Sequence, residues 1–222
     1  MAKIHGDLER DTEPINLDLK KHQVTADDWE YHALVADLHT WAARFCGEFK
    51  LQTPVPALAV ERLRRDVLGH FRPGRNGWGL KWEVVIDKNH ATSSEYWQVL
   101  GTLLHEQLHI WQDALGTQPS RSNHNYHNRQ MRSKAASLGL IVDRWGHTRF
   151  APDHSPFLEI LKKHGVKVPA LPPVEDQEAP AQHLGTSKLK LWICDCPVRV
   201  RVAVRNFRAR CLVCGAIFRT RD

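Results

Sequence analysis

The residues best suited to chemistry lie together as His105-Glu106-Gln107-Leu108-His109, an H-E-x-x-H pattern. On a helix, positions four apart share one face. Two imidazoles so placed can hold one zinc ion, and the glutamate between them can reach a metal-bound water. That combination is the core of a zinc metallopeptidase. The chain is rich in histidine, 14 of 222 residues, and a shuffle of its composition would give the pattern about one time in twenty-five. The surrounding elements must therefore decide whether the pattern is chemical.

Thr92-Ser93-Ser94-Glu95 has the form of a capping box, with Thr92 at the N-cap. Apolar residues then recur at Trp97, Leu100, Leu104, Leu108, Trp111 and Leu115, and Gly116 follows as a stop. The motif is thus expected inside a helix of about 22 residues, with His105, His109 and Asp113 on a stripe beside the apolar one. A catalytic zinc takes three protein ligands and leaves one position open. Candidates for the third are His124, His127, Asp113, His147 and His154. His127 is favoured, because a second helix with Met131, Ala135 and Leu138 on one face is expected to carry it in its first turn. His124 is the alternative. Asp113 reads as a residue behind the ligands or as a surface acid.

Five cysteines are present, and four form two close pairs, Cys194-x-Cys196 and Cys211-x-x-Cys214. This spacing suits a structural Cys₄ zinc site in a ribbon of β-hairpins. The segment between the pairs alternates as Val198-Arg199-Val200-Arg201-Val202, a period-two strand signal. A disulfide pair is the competing reading, but no secretory signal precedes the chain, which favours a reduced, cytoplasmic setting and metal binding. Cys46, alone on an apolar helical face, reads as a small core residue.

The formal charge of +6 is unevenly spread. From Lys188 onward nine basic residues face only Asp195 and Asp222. A zinc ion held by four thiolates contributes about −2, so the ribbon stays basic. Arg199, Arg201, Arg205, Arg208 and Arg210 are the candidate nucleic-acid contacts, with Trp192 or Phe207 available for base stacking. A solvated basic face is the plainer alternative.

The chain is long enough for one sizeable core plus a small appendage. Residues 1–23, polar and mixed in charge, are expected as a loosely ordered lead-in, and 24–165 as the catalytic domain. Thr25 and Asp28 signal the start of a long helix to about Glu48, with Trp29, Ala33, Ala36, Trp41, Phe45 and Phe49 inward. Strands are expected within 58–71 and 78–87. The proline-bearing stretch 166–187 reads as a linker, and 188–222 as the ribbon. No apolar run is long enough to span a membrane.

Thr102-Leu103-Leu104-His105-Glu106-Gln107-Leu108-His109, then His127-Asn128-x-x-Met131 and Leu138-Gly139-Leu140, resemble the SprT-like family, which includes the Spartan proteases. That family has T-L-x-H-E-x-x-H, then G-H-G-x-x-F, then a leucine-glycine pair. Here Tyr126 and Asn128 replace both glycines, and Met131 the aromatic. Gly69-His70-Phe71 and residues 82–87 match the family's upstream stretch and following strand. The resemblance covers most of 25–222. It implies an α+β, zincin-like metalloprotease domain followed by a zinc ribbon. It also implies two zinc ions per chain, one catalytic and one structural, and protein substrates bound or crosslinked to DNA, with a nucleoid association if the source is bacterial. In zincins a strand beside the site binds substrate by edge addition, and the strand at 82–86 is the candidate here.

The expected chemistry is metal-assisted peptide hydrolysis by a monomer, with His105, His109 and His127 holding zinc and Glu106 as general base. Tyr126, Arg129 and the zinc itself are the candidate oxyanion stabilisers. Two other functions fit the same residues: a metallopeptidase with a target unrelated to DNA, and a DNA-binding zinc protein whose first domain is a scaffold.

Overall fold

The computed structural model describes residues 13–116, 127–177, 189–204 and 206–220. They form a mixed α+β protein of two compact units, Met1–Pro180 and Ala181–Asp222. Among the described residues no helix is long and apolar enough to cross a membrane.

In the first unit, α1 (Pro14–Thr25) occupies part of the stretch expected as a loose lead-in. Proline at its start is compatible with a helix because the first N–H groups have no intrahelical partner. No apolar stripe marks α1, since polar residues dock it. Asn16 Nδ2 donates to Val55 O at 3.0 Å and Lys81 O at 2.7 Å. Two turns on, Gln23 Nε2 donates to Leu58 O at 2.8 Å, and Gln23 Oε1 lies 2.9 Å from His39 Nε2. Both side chains are buried. Thr25 therefore ends a helix rather than starting one. The next helix, α2 (His32–Glu48), buries Val35, Leu38, Trp41, Ala42 and Phe45, the stripe that packs it into the core.

Strands β1 (Ala57–Glu61), β2 (Gly69–Arg72) and β3 (Glu83–Asp87) form one sheet in the order β1-β3-β2. β3 runs parallel to β1 and antiparallel to β2, and every residue in it is buried. The expectation that residues 82–86 offer an edge is thereby corrected, because both sides of β3 are already paired. Ala57 N–H donates to Trp82 O, so the peptide groups of the next residue, Leu58, face away from β3. That outward carbonyl is the one Gln23 occupies. Across the sheet, Asp87 N–H donates to Leu68 O, which turns Leu68, His70 and Arg72 toward β3. By alternation the peptide groups of Gly69 and Phe71 point outward. Among the described residues no strand pairs with that outer edge of β2.

The central helix, α4 (Tyr96–Leu115), buries Leu100, Leu103, Leu104, Leu108 and Ile110. Its start differs from expectation. Thr92 lies in a separate short helix, α3 (Lys88–Ser93), where its hydroxyl donates to Lys88 O. Asp87 caps α3 by accepting from His90 N–H at 3.0 Å. Helix α5 (Arg129–Ser137) is capped by Asn128, whose side chain accepts from Met131 N–H at 2.9 Å. A hairpin of β4 (Leu140–Val142) and β5 (Thr148–Phe150) follows, and then α6 (Pro156–Lys163). The expected linker at 166–187 is corrected over its described part. Val166, Val168 and Leu171 pack on the core, and Gln177 Oε1 accepts from Phe150 N–H at 2.8 Å. Residues 178–187 lie outside the described residues.

The second unit is a three-stranded antiparallel sheet, β7-β6-β8, made of β6 (Lys190–Ile193), β7 (Arg199–Val202) and β8 (Arg219–Thr220). Cys194, Cys211 and Phe218 form its small core.

Candidate metal centre

His105 and His109 sit one turn apart on α4, as the motif requires. His127 arrives from sequence 18 residues further on, immediately before the cap of α5 rather than in its first turn. Its backbone N–H donates to Arg144 O at 3.1 Å. The Nε2 atom of His127 lies 3.0 Å from both His105 Nε2 and His109 Nε2. A tetrahedral ion with metal–nitrogen bonds of about 2.0–2.1 Å would space its ligand nitrogens by about 3.3 Å. The three atoms therefore converge at close to the spacing one shared ion imposes, and this trio could hold a metal. His124, the alternative, lies outside the described residues, as does Tyr126.

The electrostatics suit metal ligation. Burial holds the His105 ring well below its usual pKa, reinforced by the charges that His109 and His127 would carry. The same causes, burial first and then His127 and His70, bring His109 down to about 3. Both rings are neutral near pH 7, with lone pairs free for a cation. Glu106 is buried, and that burial raises its pKa to about 8. A divalent ion nearby would oppose that rise by favouring the carboxylate.

Several supporting residues escaped the sequence reading. β2 crosses this face of α4 so closely that a Cβ on Gly69 would lie 2.8 Å from Glu106 Oε1 and 2.6 Å from Thr102 Cγ2. The Phe71 ring stacks on His109, with centroids 5.9 Å apart and planes 3° from parallel. His105 Nδ1 lies 2.9 Å from Thr148 Oγ1. Only the Gly69-His70-Phe71 stretch carried any signal, and that came through family resemblance. Asp113 does not join the trio; it accepts from Trp82 Nε1 at 2.9 Å.

In the second unit, Cys194, Cys196, Cys211 and Cys214 bring their sulfurs within 4.8 Å of one another and could hold a second ion. Cys194 Sγ is 3.2 Å from Cys196 Sγ, and Cys196 Sγ is 3.7 Å from Cys211 Sγ. These are non-bonded separations, and all four thiols are free. A tetrahedral site with metal–sulfur bonds of about 2.3 Å would space them by about 3.8 Å. The N–H groups of Cys214 and Val213 draw Cys211 down to about 7, whereas burial pushes Cys194 up to about 12. Metal binding would deprotonate such a set. Cys46 is only half-buried, and its thiol lies 3.7 Å from Thr53 O.

Arg199, Arg201, Arg208 and Arg210 are exposed, while Arg205 lies outside the described residues. Arg199 and Arg201 alternate with the half-buried Val200 and Val202 on the edge strand β7. Trp192 and Phe207, named as candidates for base stacking, are half-buried. They meet edge to face at 5.5 Å and pack against Cys194, Cys211 and Phe218, because so small a unit needs their area for its core. Comparison with protein families, with curated proteins and with solved structures finds no match to this chain.

Proposed function

We propose that this protein is a zinc-dependent endopeptidase of the SprT-like type, directed to proteins bound or crosslinked to DNA. The observation that carries the reading is the convergence of three buried or half-buried imidazoles, with His127 Nε2 3.0 Å from the Nε2 atoms of both His105 and His109, beside a buried glutamate on the helix of those two. His105, His109 and His127 would hold the catalytic zinc, and the four cysteines a structural one. When bound, the catalytic ion supplies Lewis acidity that acidifies water and polarises a carbonyl.

The chain's own residues supply the remainder. Glu106 accepts a proton from the attacking water and returns it to the departing amine. Its burial counts against a purely structural site, since a buried carboxylate costs free energy that a scaffold has no reason to bear. Gly69 and Phe71 point their peptide groups to the β2 edge that no described strand pairs, while the Cβ side of Gly69 faces Glu106 and the Phe71 ring stacks on His109. A substrate segment adding to that edge would run past both residues. The edge strand of the second unit presents Arg199 and Arg201 to the phosphates of DNA.

The test is self-cleavage of the full chain with and without duplex DNA, in wild type and Glu106→Gln. Wild type is expected to cleave faster with DNA. The variant is expected to retain two zinc ions per chain and to lose cleavage by at least about 10²-fold. Cleavage by the variant at the wild-type rate would overturn the assignment.

A further inference from the structure

The β4–β5 hairpin touches two of the three histidines. Arg144 O accepts the backbone N–H of His127 at 3.1 Å. Gly146, at φ +94°, lies flush against the His127 ring, where a Cβ would come within 2.6 Å of Cε1. Thr148 Oγ1 stands 2.9 Å from His105 Nδ1. The turn is itself braced. Asp143 accepts from Trp145 N–H at 2.7 Å and from His147 N–H at 3.1 Å, and its other oxygen meets His147 Nδ1 at 2.8 Å.

The two nitrogens of His105 face different partners: Nε2 lies 3.0 Å from His127 Nε2, on the side of the trio, and Nδ1 faces Thr148. A neutral imidazole that ligates through Nε2 carries its hydrogen on Nδ1, and Thr148 Oγ1 stands where it can accept that hydrogen. The hydroxyl's own proton then has Gly146 O within reach at 3.4 Å. We propose that Thr148 is the positioning residue for the metal centre, holding His105 in the Nδ1–H tautomer with Nε2 presented to the ion. The inference rests on reading the histidine trio as a zinc site, but not on what reaction that site performs.

Partners of this kind around a ligating histidine typically contribute about 10–100-fold in metal affinity. The experiment compares wild type, Thr148→Val and Thr148→Ser as full chains, by chelator competition for zinc and by long-range proton–nitrogen spectra of the imidazoles. Thr148→Val is expected to weaken zinc at the histidines by about 10–100-fold, to leave the cysteine-bound zinc unchanged, and to mix the two His105 tautomers in metal-free protein. Thr148→Ser, which restores the hydroxyl, is expected to restore both. A merely structural role for Thr148 would lower thermal stability and leave the tautomer alone. Wild-type affinity in Thr148→Val with His105 still in one tautomer would overturn the inference by itself. Zinc uptake by wild type at the cysteines alone would overturn the metal reading along with it.

Discussion

Adding one methyl group at Gly69 tests whether β2 and helix α4 are coupled as closely as their geometry requires. The new carbon would lie 2.6 Å from Thr102 Cγ2, 2.8 Å from Glu106 Oε1 and 3.0 Å from Glu106 Cγ. Carbon atoms rest at about 3.5–4.0 Å, so roughly 1 Å must be found somewhere. Thr102 cannot turn freely, because its hydroxyl lies 2.9 Å from His90 Nε2. β2 cannot slide freely either, being registered with β3 from Gly69 to Arg72 and stacked through Phe71 on His109. The least constrained response is rotation of Glu106, which takes the carboxylate off its position. Overpacking of this kind costs about 1–3 kcal/mol, and a catalytic group misplaced by about 1 Å can lose about 10²-fold in rate. On the proposed zinc-peptidase reading, Gly69→Ala is therefore expected to keep two zinc ions per chain, to melt lower by about 2–4 °C for each kcal/mol lost, and to lose about 10²-fold in kcat/KM on casein. Wild-type turnover at wild-type stability would refute the reasoning, since β2 could not then be pressed against Glu106.

Two further measurements address other parts of the molecule. Burial first, and the charge of Lys20 second, lower His39 to about 4. The unfolded chain takes up this proton near pH 6.5 and the folded chain only near 4, so the unfolded state binds more protons between those values. Stability is expected to fall by about 3 kcal/mol as the pH is lowered from about 6.5 to about 4, on account of this one group. His39→Gln should remove that part of the slope in denaturant titrations, and parallel curves for the two proteins would count against it. In the second unit, Arg199→Gln with Arg201→Gln should reduce the slope of log affinity for duplex DNA against log salt by about 1.8; an unchanged slope would remove both residues from the interface.

What could be read from the sequence followed a rule of physical locality. The helix bearing His105, Glu106 and His109 was legible because its apolar repeat and the ligand spacing both live within a few turns. The cysteine pairs and the alternating β7 were legible for the same reason. Helix boundaries were less so: Thr92 and Thr25 resemble caps but end or occupy other helices, because both hydroxyls instead bond the carbonyl four residues back. Thr148 had no signal at all, lying 43 residues from the histidine it contacts. The stretch at 166–177 looked like a linker from its prolines, yet three apolar residues suffice to lay it on the core.

Helix α1, in the described part of the expected lead-in, bears directly on the proposed chemistry. A three-stranded sheet has two edges, and an extended substrate could add to either. Hydrophobic periodicity hid α1 because its inward face is amide, Asn16 and Gln23, and amides are what an open strand edge demands. Gln23 takes the outward carbonyl of Leu58 on β1, and Asn16 bridges Val55 O and Lys81 O where the chain enters β1 and β3. The β1 side is thus partly occupied by the chain itself, far from the histidines in the order of the sheet. Among the described residues no strand pairs with the β2 side, where Gly69 and Phe71 point their peptide groups outward while their other faces lie against Glu106 and His109. On the proposed reading, the same polar contacts that fold the start of this unit also direct an incoming strand toward the edge where the reactive groups stand.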